Sequence, residues 1–310
     1  MSSFVIGIDV GGTNVKLGLV SPTGKIIDRS HLSTKSFSRT KSELVLALVE
    51  KVRELLARNK LKNNNILGLG IGLPGIIDPV KGQVIFLPNI SGWKNVPLKK
   101  MLEKRLGIKT FLENDAKMIA LAEWKFGAGR GFNHVICMTL GTGVGSGLIL
   151  DGKLYRGKGF AAGELGHMPI NENGPKCSCG SFGCLESYVG NAHLLAKARE
   201  MFGRSDITFE KIYPLAKKGD ALALKFWKEV ATHIGNGLAG PVNLLNPERI
   251  VIGGGVANNL QFMLKTIHDV IRRRAMKRHS SMVKVVRDQL RSDAGMIGAH
   301  VLVHQLISNE

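Results

Sequence analysis

Four potential metal ligands crowd one short segment of this chain: His167, Cys177, Cys179 and Cys184, in GELGHMPINENGPKCSCGSFGCLES. Three of the chain's four cysteines lie here. One imidazole and three thiolates make a closed tetrahedral zinc site of the structural type. Such a site folds a glycine-rich loop that could not otherwise bury enough apolar surface. Two carboxylates flank it: Glu164 stands three residues before the histidine, and Glu186 two residues after the last cysteine. A metal that fixes both ends of the loop also fixes two acceptors for a polyhydroxyl ligand. The competing reading is a zinc knuckle that shapes the loop and touches no ligand. A disulfide accounts for the cluster less well. Three clustered cysteines cannot all pair, and nothing in MSSFVIGIDV reads as a secretory signal.

Around this loop, strands and helices alternate. FVIGIDV is an apolar strand, GGTN a tight turn, and VKLGLVSPTGKIIDRSHL two further strands about a Pro-Thr-Gly turn. SELVLALVEKVRELLARN carries Leu44, Leu48, Val52, Leu55 and Leu56 at helical spacing. NILGLGIGLPG is a buried strand, PLKKMLEKRLG a helix, IKTFLEN a strand, and DAKMIALAEWKFG a helix that starts at Asn114 and Asp115. HVICMTLGTGVGSGLILDGKLY then restarts the strand, turn, strand pattern of the N-terminus, with Cys137 as a core thiol. After the cysteine loop come a helix over roughly SYVGNAHLLAKAREMF and another over ALALKFWKEVATHIGNGLAGPVNLL. RIVIGGG is a strand entering a glycine turn, and a last strand and helix close the chain. The class is α/β. The repeated strand, glycine turn, strand unit predicts two similar α/β halves with a cleft between them.

No apolar run is long enough to span a bilayer, which excludes a membrane-spanning protein and, with reduced cysteines, places the chain in the cytoplasm. The excess of 43 Lys and Arg over 24 Asp and Glu, a net charge of +19, invites a polyanion as partner. The basic residues are nevertheless scattered from Lys35 to Arg291. Only Arg272, Arg273, Arg274, Lys277 and Arg278 cluster, and aromatics amount to 6%, with no basic-aromatic interleaving for stacking on bases. Sequence-specific nucleic-acid binding is therefore not expected, and the cluster reads as a solvated helix face.

Three glycine-rich turns follow predicted strands: Asp9 to Thr13, Gly141 to Gly145, and Gly253 to Gly255. Glycines let backbone N–H groups approach phosphate oxygens closely. The P-loop pattern is absent, and the dinucleotide pattern fails because Ser146 stands where its last glycine belongs. Hairpin turns use glycine anyway, so the weight lies in the set. A carboxylate at Asp9 could hold the water of a Mg²⁺ ion, and Thr13 could donate to a phosphate. Asn114 and Asp115 open a helix after a strand, where α/β folds place ligands, although an ordinary N-cap pair would look the same.

The strings DVGGTNVK, LENDA, GTGVGSG, GELGH, CSCGSFGCLES and IGGG, in this order, resemble those of the ROK sugar kinases. The resemblance runs from about Gly7 to the final helix. It implies two actin-like ATPase (ribonuclease H-like) lobes, one of residues 1–117 plus 294–310 and one of residues 118–293. It implies Asp115 as catalytic base and contacts from Gly75, Asn89, Asn114, Glu164, His167 and Glu186 to sugar hydroxyls. His167, Cys177, Cys179 and Cys184 would hold a structural Zn²⁺. Asp9, Gly11, Gly12, Thr13, Lys16 and the turn Gly141, Thr142, Gly143 would hold the phosphates of ATP with Mg²⁺, and Gly254 and Gly255 would lie near the nucleoside. It also implies a homodimer. The expected activity is transfer of a phosphoryl group from ATP to the 6-hydroxyl of glucose. N-acetylhexosamine, fructose and a polyphosphate donor stay open as alternatives. A sugar-responsive repressor of the family is disfavoured, because Phe4 to Val10 already reads as the first strand of the core and no helix-turn-helix is seen.

Overall fold

The computed structural model describes residues 3–11, 14–33, 41–87 and 93–308. They divide into two compact units, one of residues 1–127, 154–162 and 292–310, the other of residues 128–153 and 163–291. The first unit therefore runs about ten residues past the expected boundary at 117, because the helix that begins at Asp115 stays with it to Phe126.

In the first unit the strands β1 (Phe4–Val10), β2 (Asn14–Val20) and β3 (Ile26–Ser33) form an antiparallel meander. Helix α1 (Lys41–Arg58) follows. Strand β4 (Ile66–Leu73) pairs parallel to β1. Three short strands, β5 (Ile76–Asp78), β6 (Gln83–Phe86) and β7 (Lys94–Val96), make a separate small sheet that the sequence reading did not anticipate. Helix α2 (Leu98–Leu106), strand β8 (Thr110–Asn114) and helix α3 (Asp115–Phe126) complete the run. The main sheet has the order β3-β2-β1-β4-β8. Its strands β1, β2 and β4 are buried along nearly their whole length, and this explains their continuous apolar character.

The second unit builds the same order again. Strands β9 (Val135–Leu140) and β10 (Val144–Leu150) lead to the short β11 (Lys153–Tyr155), whose last two residues count with the first unit, and then to helices α4 (Glu186–Val189), α5 (Asn191–Phe202), α6 (Phe209–Lys217) and α7 (Ala221–Leu245). Strand β12 (Arg249–Gly253), helices α8 (Leu264–Arg274) and α9 (Lys277–Met282) and strand β13 (Lys284–Arg287) come next. The sheet order is β11-β10-β9-β12-β13, with β9 and β10 antiparallel and β12 parallel to both β9 and β13. Cys137 is a buried thiol of β9. The single helix expected over residues 187–202 is broken: α4 ends at Gly190, whose extended backbone starts α5 anew. Helix α7 spans the expected residues despite Pro241 and packs Phe226 and Trp227 into the core. The final helix α10 (Ala294–Ile307) returns to the first unit, against β1, β4 and α3. Among the described residues no helix is long and apolar enough to cross a membrane.

Candidate functional site

The junction of β8 and α3 carries the predicted catalytic pair. Asn114 is the N-cap of α3: its Oδ1 accepts the N–H of Lys117 at 3.1 Å. Its Nδ2 donates to the carbonyl of Gly75 at 3.1 Å, which joins two of the predicted sugar contacts. Asp115 is the first residue of the helix, and its Oδ1 accepts the N–H of Ala116 at 2.8 Å. The free N–H groups and positive dipole end of a helix favour an ionised carboxylate there. The N-cap reading of Asn114 is borne out, and the same cap orients the Asn114–Asp115 pair.

Three charged residues that the sequence reading passed over anchor this junction. Glu113 is fully buried; its Oε1 accepts the N–H of Asn114 at 3.0 Å and its Oε2 lies 2.6 Å from Arg156 Nε. Lys117 is buried and donates Nζ to the carbonyl of Phe160 at 2.6 Å. The signal was legible: Glu113 and Lys117 interrupt apolar runs on faces that elsewhere point inward.

The first glycine turn lies beside α10. Asp9 stands opposite Lys16 in the β1-β2 register, and Lys16 Nζ donates to the carbonyl of Ser292 at 3.3 Å. A Cβ on Gly295 would come within 2.6 Å of Asp9 Cγ, so only glycine lets the first turn of α10 approach the carboxyl this closely. Burial pushes the pKa of Asp9 above the usual carboxylate value, and the neighbouring Lys16 charge opposes that rise. Gly11 donates its N–H to Asn14 O at 2.9 Å. Gly12, Thr13 and Asn89 lie outside the described residues.

In the second unit, Gly141, Thr142 and Gly143 link β9 to β10. Glu186, the first residue of α4, accepts the N–H of Val144 at 2.8 Å. Glu164 caps a 3-10 turn over Leu165–His167, and its carbonyl accepts the His167 N–H at 3.0 Å. Gly255 borders a cavity of about 580 Å³ lined also by Asn191, Phe209, Tyr213, Asn258 and Arg287. Among the described residues, the Oδ1 atoms of Asn191 and of its fellow wall residue Asn259 are buried without a partner, as suits groups awaiting a ligand. Apart from Gly255, none of these lining residues was foreseen, since they come from four separate stretches of chain.

The ligand atoms of His167, Cys177, Cys179 and Cys184 lie within 4.8 Å of one another. Cys177 Sγ is 3.6 Å from His167 Nδ1. Cys179 Sγ and Cys184 Sγ are 3.7 Å apart, far beyond the disulfide length of about 2.05 Å. Burial pushes the Cys177 thiol up, but hydrogen bonding from the Cys179 backbone first and from His167 outweighs it and brings it down to about 6. Burial and the neighbouring thiols push Cys184 up to about 12. One thiolate thus forms readily while the next is resisted for want of positive charge. A dication answers that want, and the soft N/S donor set fits a metal of the zinc type.

The sequence pattern of the ROK family matches residues 5–306. The chain belongs to the ROK family. It is 34% identical to a glucokinase of Thermotoga maritima, over 98% of both chains. It is 30% identical to the xylose repressor of Caldicellulosiruptor bescii, over 96% of this chain and 77% of the repressor. Among solved structures, a ROK family glucokinase from Streptomyces griseus in complex with glucose and AMPPNP superposes with a TM-score of 0.82 at 32% identity, covering 98% of this chain and 100% of that one. These relations identify the two five-stranded sheets of this ROK protein as those of the actin-like ATPase fold.

Proposed function

We propose that this ROK protein is an ATP-dependent hexose kinase that phosphorylates the 6-hydroxyl of glucose. The observation that carries this reading is the setting of Asp115 at the start of α3, held by the Asn114 cap and the buried Glu113 behind it. Phosphoryl transfer demands little of a protein beyond a base for the attacking hydroxyl, firm positioning and compensation of phosphate charge. Asp115 is the base. Asn114, Glu164, His167 and Glu186 are hydrogen-bonding partners for sugar hydroxyls, a role suited to carboxylates and amides fixed by caps and turns. Asp9 and Lys16 serve the metal-bound phosphates; Mg²⁺ when bound neutralises the charge of the transferred group. A structural Zn²⁺ at His167, Cys177, Cys179 and Cys184 keeps the loop that bears Glu164 and Glu186 in shape.

The glucose preference is supported by the glucokinases of Thermotoga and Streptomyces. A coupled assay of ADP release over glucose, fructose, mannose and the N-acetylhexosamines tests it, with glucose expected to show the highest kcat/KM. Absence of ADP release with every hexose would sink the reading in favour of a sugar-responsive regulator, the activity named for the xylose repressor. A gel shift against genomic DNA distinguishes that outcome.

A further inference from the structure

Glu186 does more in this fold than offer an oxygen to a sugar. Its Oε2 accepts the N–H of Val144, at the end of the phosphate turn, at 2.8 Å. Its Oε1 accepts from Ser178 Oγ at 3.4 Å, and Ser178 sits between the metal ligands Cys177 and Cys179. A Cβ on Gly143 would overlap Glu186 Oε2, so the turn lies directly on the carboxylate. The seat is completed on both sides by the same loop. The carbonyl of Gly141 accepts the N–H of Asn191 at 2.9 Å, just beyond α4. The carbonyl of Val144 packs on Gly166, within the turn that ends in the ligand His167, where a side chain would collide with it. Meanwhile the N–H groups of Thr142 and Gly143 have no partner among the described residues. Two donors are left open at the tip, while the Gly141 N–H closes the turn on Gly143 O at 3.0 Å and the Gly141 carbonyl and Val144 N–H are committed to the loop beneath it.

We infer that Glu186 is a positioning residue for the phosphate donor, and that the metal loop thereby sets nucleotide affinity as well as sugar affinity. The physical reason is preorganisation. An exposed glycine turn has many conformations, and holding two amides toward a phosphate requires the turn to be fixed before the ligand arrives. The charged hydrogen bond from Val144 to Glu186 fixes one end, and Ser178 fixes the carboxylate in turn. Loss of the metal releases Cys177 and Cys179, hence Ser178, hence Glu186. This inference rests on the kinase reading for the identity of the donor, but the coupling itself lies wholly within the second unit.

The test is binding of a non-hydrolysable MgATP analogue, by calorimetry and without sugar, to the zinc-loaded full chain. Glu186→Gln should weaken binding about tenfold, the weight of one charge-assisted hydrogen bond, and Ser178→Ala about threefold. Ser178 is exposed and removes no packing, so its variant remains informative even if the metal-free chain loses structure. Chelation of the metal should weaken nucleotide binding in the parent chain and add little in Glu186→Gln, since both act through the same link. Nucleotide affinity unchanged in both variants overturns the inference, even where glucose affinity falls. Failure of the parent chain to phosphorylate any hexose strikes the kinase reading alone and leaves this binding comparison standing.

Discussion

Arg156 Nε lies 2.6 Å from Glu113 Oε2, and Glu113 has only 1% of its side chain exposed. The other oxygen of Glu113 takes the N–H of Asn114, so this ion pair sets the backbone immediately ahead of Asp115. Removing one partner of a buried pair strands the other charge and typically costs ~3–5 kcal/mol. Arg156→Met should therefore lower stability by that order. Glu113→Gln in the Arg156→Met background should restore part of it, because the amide carries no stranded charge. Urea denaturation of the three chains checks this. Equal midpoints for the parent and Arg156→Met would show the pair to be dispensable.

Asp115→Asn should reduce turnover by ~10²–10⁴-fold, the usual loss for a general base. The amide keeps the size of the side chain and one oxygen for the Ala116 N–H, so the helix start and sugar binding should survive. Steady-state kinetics beside glucose calorimetry separates the two effects. A variant that retains more than half the parent rate would remove Asp115 from the proposed role.

Much of this architecture was readable in the chain. The repeated strand, glycine turn, strand units became β1-β2 and β9-β10, because an apolar strand followed by glycine and another apolar strand has few alternatives. The His-Cys cluster closed as its ligand chemistry required. What escaped was short or assembled from distant segments. The strands β5, β6 and β7 have three or four residues each, too few to show a period. The break at Gly190 was hidden because residues 187–202 look helical throughout, and only the approach of Gly190 to Thr142 and Glu186 explains it. Arg156 lies in a loop with no pattern to mark it, and its meaning appears only once Glu113 is seen buried beside it.

Stability should fall on mild acidification. His300 in α10 is buried, and burial together with the nearby His304 lowers its pKa from 6.5 to about 4. Burial also lowers His304, whose ring lies 4.3 Å from that of His300. Both groups take up protons more readily when unfolded. Their stabilising contribution is therefore full above about pH 6.5 and is lost as pH falls toward about 4. Melting temperature should drop between about pH 7 and about pH 5, and His300→Leu should flatten that slope. An identical slope in parent and variant would place the acid sensitivity elsewhere.

The basic cluster should prove irrelevant to chemistry with ATP. Arg272, Arg273 and Arg274 form the last turn of α8, where cations complement the negative end of the helix dipole, and Lys277 and Arg278 open α9. All five are exposed, and none forms an ion pair among the described residues. The nearby Asp269 is held low by Lys265 first and by Arg272 and Arg273 after it, and its ion pair with Lys265 leaves little of its charge to offset the group. A surface of this kind either stays solvated or collects a polyanion. Replacing all five with Ser should leave the rate with MgATP and glucose unchanged. It should weaken retention on nucleic acid and any rate driven by polyphosphate, and the lost binding should be the part that falls steeply with salt through counterion release. Both donors compared at low and high ionic strength decide the matter. Polyphosphate outperforming MgATP at equal phosphoryl concentration, with the advantage abolished by the five substitutions, would replace ATP as the donor and give the +19 charge a role in the reaction.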